Sequence, residues 1–333
     1  MDSGITIPNL RLIRVPCPQC GGTSDHVVSR GRDYEYSTCS NFFTFVRCDY
    51  CSLTFLNPRP SLEDFDIIYP ANYYSFTEKS RSRKFNPVVQ MAWDIIERKR
   101  VGLFCELLGD DKKKILDVGC GYGRLLNLLT QYGCPAWQLT GVESGLPKQS
   151  VLKGAENAFF YHGYFEDVEF HEAPFDLIIA QQVIEHSFDP VRMLRRTCDL
   201  LAPDGYAIFD TPNFDGIDRK LFTRSYWGGY HFPRHLTLFT PSTFRTLAES
   251  TGFKVVACKK LLSPVFWVLT LHNIMADIGI PRRYTNKIHY QNLPLILLST
   301  FIELVNWSFL KNNSNMRIIL KKTREPVQGC LNE

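Results

Sequence analysis

The sequence predicts an α/β protein: a doubly wound, largely parallel sheet, preceded by a small cysteine-rich module and carrying a helical insertion near its C-terminus. Three observations carry that prediction. Short apolar strands alternate with amphipathic helical stretches between residues 88 and 260. The segment KKILDVGCGYG (113–123) joins one such strand to a helix through Gly119, Gly121 and Gly123. Two CxxC pairs stand ahead of both.

In chain order, the cysteine module comes first. Cys17-Pro-Gln-Cys20 and Cys48-Asp-Tyr-Cys51 are separated by the 27 residues from 21 to 47. Each pair forms a tight knuckle that presents two thiolates to one ion, and two knuckles complete a tetrahedral shell. HVVSR, YEYST and NFFTFVR between them read as strands, the pattern of a zinc ribbon. Four sulfurs leave no open coordination position, so Zn2+ held there is structural. Cys39 lies off the pattern and reads as a core thiol. The ribbon-like module spans 1–60, and 61–90 is a linker or lid segment with the basic stretch EKSRSRKFN at 78–86.

The core follows over 91–260. Its opening helix, VVQMAWDIIERKRVGLFCELLG, leads into strand KKILDVG. Glycines let the chain turn sharply and approach a ligand, and the free N–H groups of the next helix face it. A second strand, QLTGVES, ends in Glu143, about twenty residues past Gly123 and placed to accept from ribose hydroxyls. AFFYHG, FDLIIAQQV, GYAIFDTP and FKVVACKK supply four more strands, and MRIILKK the last, within the final strand and tail at 314–333. In such a sheet the strand ends converge on one ligand-binding edge.

Composition narrows the setting. The chain has 333 residues, 44% hydrophobic and 22% charged, with net charge +4. That is ordinary for a globular protein and too mild to argue for nucleic acid. MDSGITIPNLRLIRVP has no basic-then-apolar leader, so a cytoplasmic protein is expected, with peripheral contact at the inner membrane face left open. The eleven cysteines then read as thiols or metal ligands rather than disulfides.

Taken in order, ILDVGCGYG, TGVESG, FDLIIAQQVIEHSFDP and LLAPDGYAIFDTPN resemble the class I S-adenosylmethionine (SAM)-dependent methyltransferases. Within them the chain is most similar to the small-molecule branch, whose fourth strand ends in an EH dipeptide. The likeness covers about residues 90–260 and the strand near 314–322. It implies a Rossmann-like sheet with SAM as cofactor. Asp117, Gly119, Gly121 and Gly123 then cradle the methionine half and ribose, and Glu143 takes the ribose hydroxyls. Phe165 packs on the adenine, and Glu166 or Asp167 meets its amino group, although Tyr164 stands where relatives often carry an acid. Gln181 lies beneath the sulfonium. SLTFLNPRPSLEDFDIIYPANYYSF resembles the stretch after the cysteine pairs in a ribbon-bearing subgroup. There Tyr73 and Tyr74 either cover the cofactor and touch substrate or pack the ribbon on the core.

Methyl transfer needs an aligned nucleophile and a place for its proton. His186 follows strand four beside Glu185, and His231 and His235 fall in WGGYHFPRHLTLFTPSTF, which resembles the family's active-site loop. The three histidines remain alternatives for the base, while Glu185 fixes the loop or binds substrate. The resemblance implies a small-molecule acceptor: a hydroxyl or carbon of a sugar, nucleotide- or lipid-linked, or a natural-product or quinone-type compound. Two other functions stay open. RNA methylation fits the zinc module but not the mild charge or the missing NPPY-type turn. A SAM-binding scaffold without turnover fits the fold but not the intact glycine loop, Glu143 and histidines.

The helical insertion (261–313) contains PLILLSTFIELVNWSFL (294–310), seventeen apolar-rich residues interrupted by Glu303 and Asn306. That is marginal for a membrane span. Three readings remain: a cap on the substrate pocket, a homodimer contact, or a helix lying in a membrane interface beside the basic PRRY and LKKTR clusters.

Overall fold

The computed structural model describes residues 7–71, 73, 87–145, 158–288, 292–309 and 312–323; Tyr74 and the 78–86 stretch lie outside them. The N-terminal strands are β1 (Asp25–Gly31), β2 (Phe43–Cys48) and β3 (Thr54–Leu56), paired antiparallel in that order. YEYST is a turn rather than a strand. The Asp33 carboxylate gathers the N–H groups of Tyr36 (3.1 Å) and Thr38 (2.9 Å), and Ser37 takes φ +52°. This local capture of backbone donors outweighs the strand preference of the aromatic residues. A short helix, α1 (Phe65–Ile68), follows.

The core begins with α2 (Pro87–Leu108), β4 (Lys114–Val118) and α3 (Arg124–Tyr132). Gly123, at φ +74°, makes the sharp entry into α3 that a side chain would strain. β5 (Gln138–Glu143), β6 (Ala158–His162) and β7 (Phe175–Gln181) follow. α4 (Pro190–Leu200) starts where Asp189 accepts from the Arg192 N–H (2.9 Å) and Pro190 fills the first turn. Then come β8 (Leu201–Pro212), α5 (Ile217–Leu221), β9 (Thr237–Leu238), α6 (Pro241–Glu249) and β10 (Phe253–Leu261). The insertion contributes α7 (Pro264–Asp277), α8 (Arg282–Thr285) and α9 (Leu293–Phe309), before β11 (Asn315–Lys322).

Seven strands form one sheet in the order β10-β11-β8-β7-β4-β5-β6. β4 pairs parallel with both β5 and β7, whereas β11 runs antiparallel between β8 and β10. The winding reverses between β4 and β7, and such reversals open a crevice at the carboxyl ends of the strands. Near-continuous burial of β4, β5, β7 and β8 marks them as the covered centre.

The small sheet has a fourth strand, and it comes from the core. β9 pairs antiparallel with β3, Thr54 opposite Leu238 and Phe55 opposite Thr237. One step earlier, the Leu56 N–H donates to the Leu236 carbonyl (2.8 Å) and the Leu236 N–H to the Glu185 carbonyl (2.7 Å). Cys17, Cys48 and Phe55 share a continuous apolar cluster with Ile178, Phe209 and Phe244 of the core. The cysteine module is therefore packed and hydrogen-bonded onto the loop that carries His231 and His235.

Candidate active site

A cavity of about 590 Å³ opens at the carboxyl ends of β4, β5 and β7. The glycine loop forms its floor. Gly119 has φ +67°, and a Cβ there would lie 2.6 Å from the Val183 side chain; Gly121 has φ +52° and open space where a Cβ would stand. The Gly121 N–H donates to Glu143 Oε2 (2.9 Å), while Glu143 Oε1 accepts from Ser144 (2.9 Å) and Gly145 (3.0 Å). One carboxylate thus ties the end of β5 to the glycine turn. Asp117 sits behind this wall, fully buried; burial first, and the charge of Glu143 second, push its carboxyl up to about 8, with Arg100 opposing. Arg124 borders the cavity and pairs with the buried Glu97, which also holds Arg100 (3.1 Å).

Gln181 ends β7 at the cavity and donates to Asp210 (2.8 Å), itself held by two 2.7 Å bonds from Arg317. Phe165 and Glu166 form the opposite wall. Burial raises the Glu166 carboxyl despite a long bond from Ser187 (3.4 Å).

A cluster of imidazole and phenol rings closes the remaining side. His186 borders the cavity, and its Nδ1 lies 2.9 Å from the Tyr69 hydroxyl and 3.0 Å from the Arg234 carbonyl. A carbonyl only accepts, so the Arg234 contact puts the proton on Nδ1 and leaves Nε2 as the basic nitrogen. Burial, then the neighbouring His231, push His186 down to about 3. It therefore rests neutral.

Behind it, the rings of His186 and His235 stand 4.7 Å apart, and those of His231 and His235 5.0 Å apart. His235 Nδ1 donates to the Gly229 carbonyl (2.8 Å), and burial keeps this imidazole well below its usual range. His231 takes φ +39°, an uncommon conformation for a side-chain-bearing residue. Its Nδ1 meets Glu35 (2.7 Å), and its Nε2 meets the hydroxyl of Tyr73 (3.3 Å), a cavity-lining residue. Glu185 is buried; Oε2 accepts from Thr211 (3.0 Å), Oε1 has no partner among the described residues, and burial pushes its carboxyl up to about 8. Glu185, His186 and His235 bring donor atoms within 4.8 Å of one another.

At the far end of the small sheet, Cys17 Sγ lies 3.5 Å from Cys51 Sγ, and Cys20 Sγ 3.5 Å from Cys48 Sγ, with all four sulfurs within 4.8 Å. A tetrahedral zinc with Zn–S bonds of about 2.3 Å spaces its sulfurs by about 3.8 Å, so the donor set fits that ion.

The fold thus gathers Gly119, Gly121, Glu143, Phe165, Glu166, Gln181 and His186 around one cavity, with Asp117, Gly123, Glu185, His231 and His235 outside its immediate lining. No described residue of α7, α8 or α9 lines it. Sequence reasoning missed Tyr69, Glu35, Glu97 and the Asp33–Arg234 pair. Tyr69 had a signal in its place beside the tyrosine-rich segment. Glu35 and the Asp33–Arg234 pair had none, since their partners are distant in sequence, while Glu97 had only the i,i+3 spacing to Arg100.

Residues 95–258 match the family described as a methyltransferase domain. A ubiquinone biosynthesis O-methyltransferase of Salmonella paratyphi A is 29% identical over 149 residues, covering 40% of this chain and 60% of the relative. The one of Escherichia fergusonii is 30% identical over 149 residues, covering 40% and 61%. The chain therefore spans about 60% of the length of these relatives. Among solved structures, the 1,6-didemethyltoxoflavin-N1-methyltransferase of Burkholderia thailandensis aligns with 84% of this chain and 96% of its own. Its TM-score is 0.48 and its identity 15%.

Proposed function

Residues 95–258 match a methyltransferase-domain family, and we propose that the chain is a SAM-dependent methyltransferase acting on a small-molecule hydroxyl or acidic carbon. The observation that carries this reading is a single cavity with the glycine loop and Glu143 at one end and His186, Tyr69 and Tyr73 at the other. The donor set suits the cofactor: open backbone at Gly121, a carboxylate at the end of β5 and an aromatic wall at Phe165. Bound SAM would supply an electrophilic methyl group on a sulfonium, and its transfer to an O–H or C–H acceptor releases one proton. His186 is placed to take that proton on Nε2, with Nδ1–H held by the Arg234 carbonyl. Glu185 and His235 keep the loop in register from behind, and the Tyr73–His231–Glu35 chain orients a phenol at the cavity wall.

The quinone- or phenol-type acceptor is favoured within this class, because an aromatic acceptor suits a wall built from Tyr69, Tyr73 and Phe188, and the two relatives above carry O-methylating names. Incubation with methyl-labelled SAM and a panel of phenols and sugar nucleotides tests it. Label passing to a phenol supports the reading, and label passing only to a sugar nucleotide replaces its acceptor half. SAM binding with no labelled product from cell extract would leave a scaffold instead.

Glu143→Ala removes the carboxylate expected to take two ribose hydroxyls and frees the Gly121 N–H. Charge-assisted bonds contribute about 1.5–3 kcal/mol each. Calorimetry is therefore expected to show SAM affinity reduced by about tenfold or more, with the fold intact; unchanged affinity would contradict the cofactor assignment.

The four-cysteine cluster is read as a structural zinc site. Elemental analysis of metal-replete protein is expected to give about one zinc per chain. Cys20→Ser/Cys48→Ser is expected to abolish it and to lower thermal stability, since Cys48 is buried in the apolar cluster shared with the core. Metal-free protein of undiminished stability would refute the assignment.

A further inference from the structure

α9 is folded with three of its polar residues inward. At about 100° per residue, Ser299, Glu303 and Asn306 fall on one strip of the helix, and all three are buried. Glu303 accepts from the Ser263 N–H (3.1 Å), Trp267 Nε1 (2.8 Å), Asn313 Nδ2 (3.1 Å) and Ser314 Oγ (2.7 Å). These bonds fix the rotation of α9 against α7 and the start of β11. The outward arc is largely apolar and open: Leu297 and Leu298 are each 58% exposed and Phe301 64%, with Trp307 (55%) and Phe309 (80%) at its two edges and Ser308 exposed within it. A contiguous apolar face of this kind, rotated outward by a satisfied buried carboxylate, marks an interaction surface.

Charge selects the occupant. Between residues 264 and 309 the sequence has two acids. Glu303 is buried, and Asp277 is bonded to Arg32 (3.1 Å) and Tyr226 (2.7 Å). Arg282, Arg283 and Lys287 stand exposed in and just after α8. Lys287 is six residues from Leu293, at most about 20 Å of chain from the start of α9. Exposed cations joined to the start of an apolar helix face by so short a chain match an anionic headgroup layer above acyl chains. A twofold contact between copies gains nothing from these cations, because it meets the same positive group on the partner. No helix among the described residues is long and apolar enough to cross a membrane, and α9, about 25 Å long, fits lying in the plane.

We infer that the outer face of α9, with the cations of α8, docks this protein on an anionic lipid surface. The docking layer is tied to the loop beside the cavity. The Gly228 N–H donates to Thr270 Oγ1 of α7 (2.8 Å), and a Cβ on Gly228 would lie 2.5 Å from the Phe266 carbonyl oxygen. The surface reading stands independently of methyl transfer.

Flotation of the full chain with vesicles tests it. The protein is expected to float with phosphatidylcholine–phosphatidylglycerol vesicles and much less with phosphatidylcholine alone. Phe301→Ser/Phe309→Ser is expected to weaken binding tenfold or more, and Arg282→Gln/Arg283→Gln about fivefold per arginine removed. All four positions are exposed, so melting temperatures should stay unchanged. Absence of flotation, or variants that float like the parent, would overturn the inference. So would a dimer in sedimentation equilibrium that Phe301→Ser/Phe309→Ser dissociates while vesicles bind neither protein; the occupant would then be a second copy.

Discussion

His186→Ala is expected to lower methyl transfer by about 10²–10⁴-fold while SAM binds as tightly as before. The imidazole is the one histidine of the cluster that borders the cavity, and its tautomer is set by the Arg234 carbonyl. Burial, His231 and Arg234 keep it neutral down to about pH 3. Its lone pair is thus available throughout the working range, and the rate profile should show no inflection near pH 6.5 from this residue. The same shift has a stability consequence of definite sign. Below about pH 6.5 the unfolded chain binds a proton on this histidine and the native chain does not, so its contribution is full above that pH and stability falls as pH drops toward 3. Tyr73→Phe separates the two proton routes. If His186→Ala retains its rate and Tyr73→Phe loses it, the proton leaves through the Tyr73–His231–Glu35 chain instead.

How much of this was legible in the sequence depends on the range of the interaction. The glycine loop, the strand ending in Glu143 and the EH dipeptide are local: a few adjacent residues dictate a turn or a buried strand. Both cysteine knuckles are equally local. The six parallel core strands and β11 fall where apolar runs placed them. YEYST failed because one upstream carboxylate, Asp33, captured its backbone. The apolar run in α9 was visible, but its rotation was not; only the bonds from residues 263, 267, 313 and 314 to Glu303 decide which side faces out. Likewise β9, two residues long, carries no periodic signal, yet it joins the cysteine module to the core.

The Asp33–Arg234 pair is where that junction is most vulnerable. Both side chains are fully buried, 201 residues apart in sequence, and joined by bonds of 2.9 and 3.1 Å. Burial alone would raise the Asp33 carboxyl, but the guanidinium overrides it and holds the carboxyl below its ordinary range. The stabilisation this represents is present above the unfolded carboxylate's pKa and is lost as pH falls through the native value. Arg234 also lies over the Tyr36 ring (4.4 Å) and supplies the carbonyl that orients His186. Removing Asp33 strands a cation in the interior, which costs about 3–5 kcal/mol, whereas removing both charges strands none. Urea denaturation is therefore expected to rank Asp33→Ala as severely destabilised, and Asp33→Leu/Arg234→Met as more stable than either single replacement. Methyl transfer should behave differently. The double variant loses the buried ion pair that anchors the carbonyl of residue 234 beside the turn at 33–38, and leaves the His231–Glu35 bond to hold residues 231–236 there. Its rate is expected to stay low although its stability returns. Additive losses in stability would mean that the two charges are not coupled. A double variant with full rate would mean that β9 and the Leu236 bonds alone position the loop.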